Sequence, residues 1–282
     1  MAHSITVQRT IEMIVTEGER NKRGMKRGFL VVSVGTSQIE AIEKTSVHLV
    51  RKIEVCFSGE KCYLGFSNRR ILEKMQAIAP DTFYSVKEAL EQMCADGVEE
   101  AVILPTYLLN GIENDGMIAI AEEYREKFQQ MRIGKPLLSA KEDYEEVLQA
   151  LFAEASLQAE EALVLVGHGS SLSANTYQNL EYTAYVKGQR NVFVGTIDDE
   201  KSRRMTIRKL QALGYERVRL MPLLFVAAHH AKKDIMGAGA SWKSALEEAG
   251  FSVMCDLRGL GELDSIQKIL IAHLEETMVR PR

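Results

Sequence analysis

From Phe29 onward, short apolar runs alternate with stretches in which apolar residues recur every three to four positions. The runs predict strands at 29–34, 61–66, 101–105, 163–167, 192–197, 217–226 and 252–256. The helical spacing predicts helices that include 69–78, 85–96, 113–130, 142–155, 202–213 and 241–249. Strand–helix alternation implies parallel sheets joined by crossover helices, an α/β fold. Gly97, Gly214 and Gly250 each follow a helical stretch, where a left-handed cap is expected. Residues 1–25 stand apart as an extension. Ser4 to Arg20 carry the spacing of a short, peripheral amphipathic helix, and a basic run through Arg27 follows.

The chain repeats itself. Met93–Pro105 parallels Leu210–Pro222, Val31–Ser37 parallels Leu165–Ser171, and Tyr63–Ser67 parallels Phe193–Ile197. Three anchors in one order imply two similar halves, 26–140 and 141–282, with a cleft between their strand ends.

Composition narrows the function. Among 282 residues the formal charge is -4, which gives no footprint for nucleic acid. A hydrophobic share of 46% fits a chain with a real core. No apolar run approaches the roughly 18 residues that a membrane span needs. The apolar stretch Ile11–Val15 is too short and too charged for a signal peptide, so a cytoplasmic setting is expected. The four cysteines show neither a CxxC pair nor a zinc spacing.

The chemistry gathers at predicted strand ends. Leu163–Val166 runs into Gly167-His168-Gly169, and Met221–Ala228 runs into His229-His230. Ligands of open α/β sheets bind outside the carboxyl ends of the strands. Imidazole there suits cobalt, nickel, iron or zinc. Superposing the anchors sets His168 opposite Val34, Asp198 opposite Asn68, and His230 opposite Glu113. The second half therefore offers His168, Asp198 and His230, a set for a divalent ion with positions left open. An acidic turn before a helix also serves as an N-cap, so Asp198, Asp199 and Glu200 have two roles to divide. Gly35-Thr36-Ser37 and Gly169-Ser170 suit anion binding at a strand-to-helix turn. Leu172 stands where GxGxxG needs its third glycine, there is no Walker A sequence, and Ser170 is outside any GxSxG elbow.

These residues resemble the sirohydrochlorin cobaltochelatases of the anaerobic cobalamin pathway, in the class II chelatases that include ferrochelatase. The likeness spans roughly 26–277. It rests on Leu30–Ser37, Leu108–Glu113, Gly134–Ser139, Val166–Gly169, Met221–Leu223, Val226–Ala231, Ser241–Lys243 and Gly259–Glu262. The resemblance implies two flavodoxin-like halves around a tetrapyrrole cleft, with metal ligation by His168 and His230. The family's third ligand is a glutamate, for which this chain has Asp198, one methylene shorter. His229 is a spare imidazole. The expected activity is insertion of Co²⁺ into sirohydrochlorin with release of two protons. His168, His230 and Glu113 are the expected catalytic groups, and Gly35, Thr36, Ser37, Asn110, Gly169 and Ser170 the expected ring contacts. No permanently bound cofactor is expected; Co²⁺, Ni²⁺ or Fe²⁺ enters as substrate. The alternatives are another metal or ring, or a non-catalytic tetrapyrrole or metal carrier. Homo-oligomerisation is left open.

Overall fold

The computed structural model describes residues 25–79, 82–158, 160–169, 174–228 and 231–279. The predicted helix at 4–20 lies outside them. The chain forms two wholly parallel sheets. The first has β1 (Arg27–Ser33), β2 (Lys61–Phe66), β3 (Tyr84–Ser85), β4 (Glu100–Pro105) and β5 (Gln130–Ile133), in the order β3-β2-β1-β4-β5. The second has β6 (Glu161–Gly167), β7 (Val192–Thr196), β8 (Arg217–Pro222) and β9 (Ser252–Cys255), in the order β7-β6-β8-β9.

Helices cover both faces. The first is α1, which runs Ile39–Ile42, through a π turn at Glu43–Val47, to His48–Cys56. Then come α2 (Arg69–Ile78), α3 (Val86–Ala95), α4 (Ile112–Glu123) and α5 (Lys141–Ala155). The second half adds α6 (Ala174–Val186), α7 (Glu200–Ala212), α8 (Trp242–Glu248) and α9 (Asp264–Val279).

Central strands of parallel sheets are buried on both faces, which is why they are continuously apolar. Phe29 and Val31 of β1, with Leu163 and Leu165 of β6, share one core with α1, α5, α6 and α9. Leu30 and Val32 face a separate core under α3 and α4, and Val164 and Val166 face another under α8. The two halves are thus fused through a common apolar layer. The C-terminal helix α9 returns to pack against β4 and β5.

The repeat holds in the register. Ser33 pairs with Phe66 as Gly167 pairs with Thr196, and Val32 pairs with Pro105 as Val166 pairs with Pro222. Some expected boundaries are corrected. The helix expected over 113–130 ends at Glu123, because the Gln130 amide pairs with the Glu99 carbonyl and starts β5 on the open edge of β4. The strand expected over 217–226 ends at Pro222. Beyond it the Leu224 and Phe225 carbonyls accept from the Leu260 and Gly261 amides, which turns the chain out of the sheet. Helix α1, which the apolar spacing does not predict, is hidden by its π turn, which shifts the apolar stripe and buries Thr45 and Ser46.

A buried polar cluster ties α9 to the crossover. Asp143 accepts from Lys135 at 2.8 Å, from the Ser139 and Ala140 amides at 2.9 and 2.7 Å, and faces His273 Nε2 at 3.2 Å. Burial raises the Asp143 carboxyl, but Lys135, the two amides and His273 outweigh it and hold it below its ordinary value. Burial and Lys135 lower His273 against the opposing pull of Asp143 and Glu276. A base depressed in the fold stabilises above its ordinary pKa, here 6.5, and that contribution fades as the pH drops through and below this value. The urea midpoint is therefore expected to fall from pH 7.5 to pH 5.5. His273→Gln should flatten that part of the dependence, and an unchanged slope would refute the assignment.

Candidate metal and chelation site

His168 follows the last residue of β6, where the strand order reverses between β7 on one side and β8 on the other. Crevices at such reversals are where α/β sheets hold ligands. Two glycines are needed to put it there. A Cβ on Gly167 would lie 2.4 Å from the ring of buried Tyr177. Gly169 has φ +95°, and a Cβ there would sit 2.9 Å from Thr196. The Gly169 amide donates to the Tyr177 hydroxyl at 3.4 Å.

Asp198 arrives from β7. The amides of Ile197 and Asp198 both donate to the His168 carbonyl at 3.1 Å, which holds the two turns side by side. Asp198 Oδ2 then meets His168 Nδ1 at 2.9 Å. Both side chains are about half exposed, at 54% and 55%. Trp242 supports this corner. Its indole N–H donates to the Thr196 carbonyl at 3.2 Å, and its ring fills the space over Gly195, where a Cβ would approach to 2.2 Å.

The acidic turn divides its labour. Asp199 caps α7 by accepting from the Lys201 amide at 2.8 Å, and Glu200 pairs with Arg204 at 3.2 Å. Asp198 alone of the three turns to His168. Its counterpart by register, Asn68, caps α2 through the Ile71 amide.

His229, His230 and Ser170 lie outside the described residues. The chain leading to the histidines is well supported. A Cβ on Gly259 would lie 2.6 Å from the Phe225 carbonyl oxygen, so Gly259 is what lets 259–262 pack against 225–227. Beside this segment, Ala227 and Ala228 face Gln38, Ala41 and Lys44 of the first half across a cleft of about 210 Å³.

The first half lacks an imidazole at its own reversal. Val34 stands where the second half has His168. Gly35 repeats the left-handed turn at φ +91°, Thr36 accepts from the Gln38 amide at 3.3 Å, and Ser37 is exposed. Asn110 accepts from Asn114 at 3.2 Å. Glu113 is exposed in the first turn of α4, close to Tyr107. Burial pushes the Tyr107 hydroxyl up to about 12, against a lowering by Ser67 and with a further push from Glu113, so Tyr107 stays protonated at neutral pH. Nearby, Arg69 pairs with Glu73, and Arg203 donates to the Ala240 carbonyl. Among the described residues, no three His, Cys, Asp or Glu side chains converge on one point.

The cobalt chelatase (CbiK) family matches residues 27–279. This chain belongs to that family. It is 31% identical to a sirohydrochlorin cobaltochelatase of Salmonella typhimurium, over 90% of this chain and 97% of the relative. It is 28% identical to the sirohydrochlorin cobaltochelatase CbiKC of Nitratidesulfovibrio vulgaris, over 88% and 89%. Among solved structures, SirB of Bacillus subtilis with Fe³⁺ superposes with a TM-score of 0.63 at 14% identity, covering 90% of this chain and 96% of SirB. The cobalt complex of SirB from Bacillus subtilis subspecies spizizenii gives 0.60 at 15%, covering 90% and 95%. These structures share the two-half chelatase fold.

Sequence reasoning missed Tyr177 as the support behind the chelatase's His168. An aromatic eight residues past a glycine gives no periodic signal. The contact is testable. Gly167→Ala should cost about 1–3 kcal/mol, because the Tyr177 ring must move. Gly116→Ala, in α4 with nothing within 4 Å of the new methyl, should gain about 0.5–1 kcal/mol. Chemical denaturation measures both, and equal effects would sink the packing argument.

Proposed function

We propose that the protein is a cobaltochelatase that inserts Co²⁺ into sirohydrochlorin, releasing two protons, in cobalamin biosynthesis. The observation that carries this is the hydrogen-bonded His168–Asp198 pair at the reversal of the second sheet, in a chain of the cobalt chelatase family. The names of both relatives support the metal and the ring.

Insertion needs an ion held loosely enough to be passed on, and acceptors for two pyrrole protons. With Nδ1 bonded to Asp198, the carboxylate fixes the orientation of the His168 ring, the proposed first metal ligand. His230 is the proposed second ligand, from the sequence. One carboxylate oxygen on Nδ1 sets Asp198 behind the imidazole, so we infer that it orients His168. The family's longer glutamate would reach the ion directly. Asp198 and Glu113 are the proposed proton acceptors, one from each half. The turns at Gly35-Thr36-Ser37 and Gly169-Ser170, with Asn110, are the proposed contacts for ring carboxylates.

Catalytic amounts of protein mixed with sirohydrochlorin and Co²⁺ should produce many equivalents of metallated ring above the spontaneous rate, followed by absorption. No more than one equivalent would leave only a carrier. His168→Ala should abolish turnover, and Asp198→Ala should lower it about 10–100-fold. Full activity in both variants would move the site elsewhere. Parallel runs with Ni²⁺ and Fe²⁺ rank the metals. Intrinsic ligand affinity favours Ni²⁺ over Co²⁺, so a preference for Co²⁺ would be a property of this site.

A further inference from the structure

The stretch that leads from β4 into α4 holds two buried polar atoms with nothing to bond. Tyr107 is 6% exposed and Asn114 3%, yet among the described residues neither the Tyr107 hydroxyl nor Asn114 Oδ1 has a hydrogen-bond partner. Leaving a buried polar atom unpaired costs stability, and folded proteins rarely do it without a reason. Asn114 keeps part of its bonding, because its Nδ2 donates to Asn110 at 3.2 Å. Tyr107 has only the one hydroxyl.

Tyr107 is nonetheless firmly held. It stands two residues past β4, at the reversal of the first sheet between β1 and β4. The Thr106 amide donates to the Val32 carbonyl at 2.8 Å, and the Tyr107 carbonyl accepts from the Leu137 amide at 2.9 Å. Its ring packs with Val32 and Met117. The Ser67 hydroxyl lies close by but is directed to the Ser33 carbonyl at 3.4 Å. Burial keeps the phenol protonated at neutral pH. It is therefore a fixed donor in need of an acceptor.

A matching acceptor is close. Glu113 acts electrostatically on the Tyr107 hydroxyl. The bonds and ion pairs of the described residues leave its own carboxylate without a protein partner. Glu113 Oε2 lies 4.0 Å from where a Cβ on Gly111 would stand, so the carboxylate turns back over the N-cap of α4, the end that favours negative charge. While water covers it, an exposed carboxylate needs no donor from the protein. A ring laid over the site displaces that water, and a desolvated carboxylate is unfavourable unless other donors replace it. A hydroxyl already fixed, protonated and unbonded supplies one without reorganisation.

We propose that Tyr107 is a positioning residue for metal insertion: with the ring bound, its hydroxyl donates to the Glu113 carboxylate and holds it to accept a pyrrole proton. This rests on the cobaltochelatase reading. The pyrrole N–H bond breaks, its electron pair goes to Co²⁺, its proton goes to the free oxygen of Glu113, and the phenol keeps its own proton. Tyr107→Phe removes the hydroxyl alone. Chemical denaturation should find the variant as stable as the parent or more so, because an unpaired buried donor is lost. Steady-state kinetics with sirohydrochlorin and Co²⁺ should show kcat lowered at least about tenfold, the scale of one hydrogen bond to a charged group, with KM changed by no more than about twofold. In a Glu113→Gln background the same substitution should change the residual kcat by less than about twofold. Full kcat in Tyr107→Phe, a raised KM alone, or lost stability would overturn the proposal. So would an equally large loss in the Glu113→Gln background, which would give the hydroxyl to another acceptor such as Asn114 Oδ1. Those results leave the cobaltochelatase reading standing, whereas a parent without turnover would overturn both.

Discussion

The ring of Tyr177 occupies the space that any side chain at position 167 would need. Much of the second half's chemistry hangs on that contact. It admits only glycine at the end of β6, and Thr196 with the left-handed turn does the same at position 169. Between two residues without side chains, His168 is carried clear of the sheet yet held by backbone bonds from its carbonyl to Ile197 and Asp198. A flexible tripeptide alone would fix nothing. It is the packed ring beneath and the neighbouring turn beside it that make the imidazole's position definite.

A parallel arrangement gathers such turns at one end. Because every described strand runs the same way within its sheet, the ends of β6, β7 and β8 lie together, and the reversal of strand order opens the crevice between β6 and β8. The sequence marks this arrangement clearly. Its apolar runs are continuous because the central strands are buried on both sides. The repeat anchors predict the observed register, and so the equivalence of His168 with Val34 and of Asp198 with Asn68. What stayed hidden was set by contacts distant in sequence. β3 is two residues long and β5 follows a continuing helical spacing, so neither has a period of its own. The end of β8 depends on carbonyls claimed by Leu260 and Gly261. The three consecutive acids look alike in sequence. Only the closeness of two turns sends Asp198 to the imidazole, Asp199 to the helix amide and Glu200 to Arg204.

The asymmetry between the halves has a physical consequence. In the first half the reversal point is closed down: Val34 replaces the imidazole, Asn68 is spent on capping α2, and α2 with β3 seals the strand edge. In the second half the same places are open, with His168 and Asp198 half exposed and no described strand paired with the outer edge of β7. The second half thus presents the proposed working face, to which the first adds its exposed Ser37 and Glu113.

Rigidity must then come to the working face from elsewhere, because exposed turns are the low-stability part of any fold. Two sources are visible. Trp242 locks β7 from the sheet face through Gly195 and the Thr196 carbonyl. The shared apolar layer, with α9 returning across β4, makes the second sheet part of one continuous core rather than a separate lobe. Opening the cleft to a planar ring therefore cannot be a free hinge between independent halves. The turns at 35–38 and 168–169 lie outside that layer, and they carry groups proposed to meet metal and ring. The core fixes the distance between the halves, and the turns supply what adaptation the chemistry requires.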